Sequence, residues 1–463
     1  MSAGEALQMA IQVMVTLWFQ SALLFDGWAR SVRFTIDANV IQRVETDVEH
    51  APGDERHDIA VPGLANVHSH AFQRGMAGLA EVRGPAHDNF WTWREVMYRF
   101  LDRLTPEDVE VIAAQAYVEM LETGFTRVGE FHYLHHDPSG QPYANIAELA
   151  ERIAAAASET GIALTLLPAF YAHGNFGGCP PVPGQRRFLN DPARFAKLME
   201  ASRAAIAPLG DSNIGVAPHS LRAVTPEELR QIVPLAKGGP VQIHAAEQTK
   251  EVEDCLAWSG ARPVEWLLDN ADVDRRWCLV HSTHITPMET QRLAKSGAVA
   301  GLCSITEANL GDGVFPTPSY LEAQGHFGLG TDSNILIDPA QELRMLEYAQ
   351  RLTQRARNVL APEAGRSTGR ALFDGALLGG FQALGISDFG LKMGAPADLV
   401  SLNAAGPVLA GRSGDAILDS WIFGGGKVDC VWRRGTRIVT GGQHRGREAV
   451  AHRYKETVAR ILG

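Results

Sequence analysis

Eight short apolar runs, each closely followed by a polar residue and separated by helix-like sequence, constrain this chain more than any other feature. They are Pro62 to Val67, Thr126 to Phe131, Ile162 to Pro168, Asn213 to Pro218, Val241 to His244, Trp277 to His281, Ala298 to Leu302 and Phe327 to Gly330. The intervening segments carry helix signals. Thr105-Pro106-Glu107-Asp108 is an N-cap with proline at the first helical position, and Val109, Ile112, Ala113, Ala116 and Met120 then keep helical spacing until Gly124. Further helices are predicted near Ile146 to Glu159, from Pro192, and after the capping box Thr225-Pro226-Glu227-Glu228. Such an alternation predicts a (β/α)8 barrel, an α/β fold whose chemistry gathers at the C-terminal ends of its strands. A doubly wound open sheet is the alternative, but no Gly-x-Gly-x-x-Gly or phosphate loop follows any strand. The loop from Tyr171 to Asp191, rich in Gly and Pro, is long enough to be a binding loop or lid.

The two ends of the chain read differently. From about Val13 to Val61, short β-rich pieces such as Ser31 to Ile36 are broken by Asp, Asn and Gly, and comparable pieces return at Asp398 to Leu402 and Asp429 to Arg433. Neither end has enough strands for an independent sheet, so the two are expected to pair into one small β-sandwich. The expected division is therefore 1–61 and 395–463 as the halves of that β domain, the latter with a terminal helix, and 62–394 as the barrel. The apolar stretch from Met9 to Phe25 lacks a basic leader and is interrupted by Gln12 and Gln20, which argues for a short extension followed by structure rather than an export signal.

Composition excludes several classes. With 45% apolar and 21% charged residues a sizeable core is expected and disorder is not. A net charge of -11 without a basic run argues against a nucleic-acid partner. No apolar run is long enough to span a bilayer, so no membrane association is expected. The five cysteines are scattered and form no Cys-x-x-Cys pair, which fits a reducing cytoplasm and offers no thiolate metal cluster.

The polar residues at the strand ends are His68 and His70, Glu130 and His132, His219, His244, His281 and Asp332. In a strand, a His-x-His spacing points both imidazoles to one face, and in a barrel the strand ends converge. His68, His70 and His244 with the Asp332 carboxylate would bind one zinc, or a similar divalent ion, and leave a position for water. A metal so held can lower the pKa of a water to about 7, which defines a hydrolase. Glu247, three residues past His244, and His281 are the acid/base candidates beside it.

These motifs resemble the amidohydrolase superfamily in its mononuclear deaminase branch: Pro62-Gly63 before His68-Ser69-His70, His244-Ala245-Ala246-Glu247, His281, and Gly330-Thr331-Asp332-Ser333. The binuclear branch carries a bridging carboxylated lysine after strand four, where this chain has Pro218-His219. Four stretches narrow the resemblance to the formimidoylglutamate deiminase family: Asn66 to Gln73, Phe90-Trp91-Thr92-Trp93-Arg94-Glu95, Glu130 to His136, and Thr306 to Gly313. The resemblance implies hydrolytic removal of ammonia from N-formimino-L-glutamate in histidine breakdown, one zinc per chain, and a homodimer. It further implies that Arg94 and Arg222 clamp the substrate carboxylates, with Tyr133 and His219 assisting and Gln73 near the formimino nitrogen. The planar fork of arginine suits that task. In the implied mechanism a water loses its proton to His281 or Asp332 and Glu247 carries protons to the departing nitrogen. A deaminase or chlorohydrolase acting on a purine, pyrimidine or triazine ring is the rival reading and would show aromatic stacking and amide readout in place of paired arginines. A catalytically dead scaffold would show broken ligands, whereas all four are present.

Overall fold

The computed structural model describes residues 14–84 and 87–463, so the extension before Val13 lies outside the described residues. The chain forms two compact units, one of residues up to Gly63 with Ser387–Arg445, the other of Leu64–Ile386 with Gly446–Gly463.

The first unit opens with β1 (Val15–Leu24), β2 (Gly27–Asp37), β3 (Val40–Glu45) and β4 (Glu55–Pro62). The second unit follows with β5 (Leu64–Ser69), β6 (Phe125–His132), β7 (Ala163–Phe170), β8 (Ser212–Ile214), β9 (Ala217–Pro218), β10 (Val241–Ala245), β11 (Trp277–His281), β12 (Val299–Leu302) and β13 (His326–Leu329). β14 (Leu399–Leu402), β15 (Val428–Arg433), β16 (Thr436–Thr440) and β17 (Gln443–His444) return to the first unit.

In that unit the two chain ends share one eight-stranded sheet, ordered β17-β16-β15-β14-β4-β1-β2-β3, with β14 and β4 antiparallel at the join. The sheet folds over itself, because Ile41 N at the far edge bonds to Ala395 O and a Cβ on Gly435, in the β15–β16 turn, would come 2.7 Å from Ile36. Leu17, Phe19, Phe34, Leu399 and Trp432 fill the enclosed face.

The second unit is the barrel. Its strands pair in parallel from β10 through β11, β12, β13, β5, β6 and β7 to β8, and a parallel bridge between Val216 and Val241 closes the ring. The fourth strand is interrupted where pairing changes sides: Gly215 N bonds to Leu166 O on β7, and Val216 N bonds to Pro240 O beside β10. A Cβ at Gly215 would stand 2.3 Å from Pro240 O, so only glycine permits this approach. The helix Pro106–Thr123 starts at the Thr105 capping box and ends at Gly124, whose φ of 106° is left-handed. The final helix, Arg447–Leu462, departs from the expected division by packing on the barrel unit. Its basic side chains meet acidic ones there, Arg447 with Glu122 at 2.7 Å and Arg460 with Asp108, and Arg103 donates to Ile461 O. No helix among the described residues is long and apolar enough to cross a membrane.

Candidate metal centre and active site

His68 and His70 leave the end of β5 with their Nε2 atoms 3.2 Å apart. His244, on β10, places its Nε2 3.1 Å from that of His68, and Asp332, just beyond β13, brings Oδ1 to 3.4 and 3.3 Å from the His68 and His70 nitrogens. All four side chains are buried. Each imidazole is turned by an oxygen behind it: His68 Nδ1 faces Gln242 Oε1 at 3.1 Å, His70 Nδ1 faces Phe131 O at 3.0 Å, and His244 Nδ1 faces His219 O at 2.9 Å. Gln242 has its amide oriented in turn, since its Nε2 donates to Val67 O at 2.6 Å. With every Nδ1 serving as the donor, three Nε2 lone pairs and one carboxylate oxygen converge. That arrangement is repulsive without a cation and suits one divalent ion bound by three nitrogens and an oxygen.

Protonation agrees with that donor set. Burial and the neighbouring His68 push the His70 imidazole down to about 3, so it is neutral, as a ligand must be. Burial likewise lowers His244 well below the ordinary range. Burial opposes the charge on Asp332, but its hydrogen bond to His68 and the facing imidazoles hold the carboxyl well below the usual carboxylate range.

Backbone geometry fixes the ligand-bearing turns. His70 N bonds to Asp332 O and Asp332 N bonds to His68 O, both at 3.0 Å, which ties the β5 and β13 ends together. The Asn334 amide spans the same gap, donating to Ser69 Oγ at 3.2 Å and to His70 O at 3.1 Å. Asp332 and His281 adopt φ of 43° and 67°, left-handed values that non-glycine residues seldom occupy and that cluster at functional sites.

Glu247 and His281 stand beside the four ligands. Glu247 Oε1 lies 3.7 Å from His281 Nε2, and its Oε2 lies 3.7 Å from Arg222 Nη2. Asp332 points Oδ2 at His281 Nε2, 4.0 Å away, while its Oδ1 belongs to the ligand cluster. Burial pushes the Glu247 carboxyl up to about 7 against the pull of His281 and Arg222. Burial also opposes charge on His281, yet the carboxylates of Glu247, Glu307 and Asp332 raise it to about 10.

A cavity opens over these residues, bordered by His70, His244, Glu247, His281 and Asp332 on one side and by Gln73, Arg94, Tyr133, His219 and Arg222 on the other. Every expected site residue except His68, which is wholly buried behind His70, reaches it. Two unmet hydrogen-bonding groups show what it can receive. Gln73 donates through Nε2 to Tyr133 Oη at 2.9 Å, and its buried Oε1 has no partner. Arg222 is buried with its Nε unpartnered, and Glu247, at 3.7 Å, is the one carboxylate ion-paired with it among the described residues. Arg94 is held by aromatic faces, 4.6 Å from the Trp91 centroid, and no ion pair to it occurs among the described residues. An N–H of a ligand would satisfy Gln73, and anionic oxygens would satisfy the guanidiniums.

Two further strand-end residues join neither the cavity nor the ligand cluster. Glu130 accepts from Ala71 N at 2.7 Å and from Tyr117 Oη at 3.2 Å, so it braces the turn after His70. His132 packs edge-on to His135, with centroids 5.3 Å apart. Sequence reasoning passed over Gln242, although a polar residue two positions before His244 on a buried strand must share its face. It also left Glu307 without a role; that carboxylate lies 3.3 Å from His281 Nδ1. Tyr98 and Tyr171 complete the wall near the arginines; Tyr98 carries no sequence signal of its own, whereas Tyr171 opens the long loop noted above.

Similarity to known proteins bears on this geometry. The Amidohydrolase family model matches residues 59–438, and the model described as "Formimidoylglutamate deiminase HutF, N-terminal domain" matches residues 14–58. The chain is 50% identical to the formimidoylglutamate deiminase of Pseudomonas aeruginosa over 97% of its own length and 100% of that protein. It is 29% identical to the 8-oxoguanine deaminase of the same organism, over 75% of this chain and 74% of that protein. Among solved structures, an amidohydrolase from Brucella melitensis superposes with a TM-score of 0.94 at 56% identity, covering 97% of this chain and 100% of that one.

Proposed function

This chain belongs to the amidohydrolase family and, within it, to the formimidoylglutamate deiminases, and from that premise we propose how its residues hydrolyse N-formimino-L-glutamate to N-formyl-L-glutamate and ammonia in histidine degradation. The observation that carries the substrate assignment is the pair of guanidiniums, half-buried Arg94 and buried Arg222, facing the four-ligand centre across one cavity. A substrate with two carboxylates and one formimino group matches that distribution of charge. A ring base would bring a carboxylate to neither arginine.

His68, His70, His244 and Asp332 hold one divalent ion in this reading, zinc being the expected occupant. Lewis acidity that makes a water nucleophilic near neutral pH is the chemistry such an ion supplies when bound. Arg94 and Arg222, with Tyr133 and His219, hold the carboxylates, and Gln73 Oε1 accepts from a formimino N–H. So anchored, the formimino carbon lies within reach of the water, and the attack becomes effectively intramolecular. The water gives up its proton to Asp332, through the Oδ2 that faces His281. The carboxylates of Glu307 and Asp332 beside His281 favour its protonated form, which suits it to stabilise negative charge rather than to act as the first base. Glu247, poised near neutrality, delivers a proton to the departing nitrogen. The C–O bond forms, the new hydroxyl returns a proton to Glu247 while the proton held by Asp332 passes to the same terminal nitrogen, the C–N bond to that nitrogen breaks, ammonia leaves, and a formyl amide remains.

A cytoplasmic setting fits the five unpaired cysteines. The homodimer expected of the family is a matter for sedimentation. Mass spectrometry of the products in ¹⁸O-water tests the mechanism: one ¹⁸O should appear in N-formyl-L-glutamate, whereas release of free glutamate with formamide would mean that the other C–N bond is cut.

A further inference from the structure

Arg94 and Arg222 come from distant elements, the helix Phe90–Leu101 and the segment after β9, yet both guanidiniums lie over the same two rings. Arg94 Cζ is 4.6 Å from the Trp91 centroid and 6.0 Å from that of Phe90; Arg222 Cζ is 5.7 Å from each. Two cations gathered beside one cavity repel, and the only carboxylate ion-paired with either among the described residues is Glu247, 3.7 Å from Arg222. The negative faces of the aromatic rings offset part of that repulsion. Phe90 borders the cavity but Trp91 does not. Trp91 is fixed from behind, because its backbone N donates to the Asn89 side chain at 2.9 Å in the capping box that starts the helix, and Phe90 packs against it at 5.1 Å with rings nearly perpendicular.

We propose that Trp91 is a positioning residue that holds Arg94 and Arg222 as a pair, and that it thereby sets the preference for formimino compounds with two carboxylates over those with one. The inference rests on the deiminase reading above. Trp91 touches no substrate and acts through the two arginines. Its loss would let them separate towards solvent, so binding of the second carboxylate suffers while the reaction at the formimino carbon does not.

The test compares wild type, Trp91→Leu and Trp91→Phe in steady-state ammonia release from N-formimino-L-glutamate and from N-formimino-glycine, with metal content measured on each protein. Trp91→Leu should raise KM for the glutamate compound about tenfold, keep kcat within about twofold, leave KM for the glycine compound unchanged and retain its metal. Trp91→Phe, which keeps an aromatic face, should recover most of the loss; this variant carries the test if the leucine variant fails to fold. An unchanged KM, an equal loss on both substrates, or loss of metal would overturn the proposal. A wild type that turns over neither substrate would instead overturn the deiminase reading itself, and this inference with it.

Discussion

At the scale of single residues, the centre is built by what stands behind its ligands. Gln242 is wholly buried and joins His68 to the backbone of Val67, so Gln242→Leu should free the His68 ring and weaken metal affinity about 10- to 100-fold; competition with a chelator of known affinity measures this. Glu247→Gln should lower kcat by about 10² to 10⁴ while metal content stays at one equivalent, since Glu247 is no ligand. Arg222→Met should raise KM for the dicarboxylate and leave metal content alone; loss of metal would mean that Arg222 serves the centre rather than the substrate. The four residues that cluster as a candidate metal centre, and Glu247 and His281 beside them, were legible in the sequence because each closely follows an apolar run. Glu130 and His132 close one too, yet they turn away from the cavity, and only the packing of Tyr117, Ala71 and His135 around them says so. Tyr98 could not be found from sequence because a helix brings it in at a position no periodicity marks, whereas Tyr171 opens the loop whose length suggested binding.

Among the elements, strand and helix existence followed from apolar runs, capping boxes and glycine stops, and the barrel strands fall where those signals put them. Close approach between elements was not legible, since it depends on which glycine meets which backbone. The helix Thr368–Ala383 lies on β13 so tightly that a Cβ at Gly379 would fall 1.9 Å from Phe327 O. Gly379→Ala should therefore destabilise the barrel by at least about 1–3 kcal/mol, read as a lower denaturation midpoint. The β6 end offers a pH test. Burial pushes the His132 imidazole down to about 4 from an ordinary 6.5, so the folded chain keeps it neutral where the unfolded chain takes up a proton. His132 thus leaves stability unchanged above the unfolded value and reduces it as pH falls through that window, by about 1.4 kcal/mol per unit. Urea midpoints at pH 7 and pH 5 should differ less in His132→Asn than in wild type; an equal difference would assign the acid loss to other groups.

Across the whole molecule, chain ends that are weak separately complete each other: the first four strands and the last four make one sheet, and the barrel closes through β5 and β13. The final helix was assigned by sequence adjacency to the β strands it follows, but its arginines find their carboxylates on the helices Pro106–Thr123 and Glu148–Thr160 of the barrel unit. Charge complementarity of that kind leaves no local signature. Because the four candidate metal ligands come from the ends of three separate strands, an ion bound only by the folded chain should raise the unfolding temperature by mass action, and stripping it should lower that temperature reversibly. The account as a whole joins a single divalent centre to a dicarboxylate site in one cavity. Its most direct test is the rate of ammonia release, per metal-loaded chain, from N-formimino-L-glutamate set beside guanine, cytosine and N-formimino-glycine. The account predicts that N-formimino-L-glutamate has by far the highest kcat/KM; equal or faster turnover of either ring compound would contradict it.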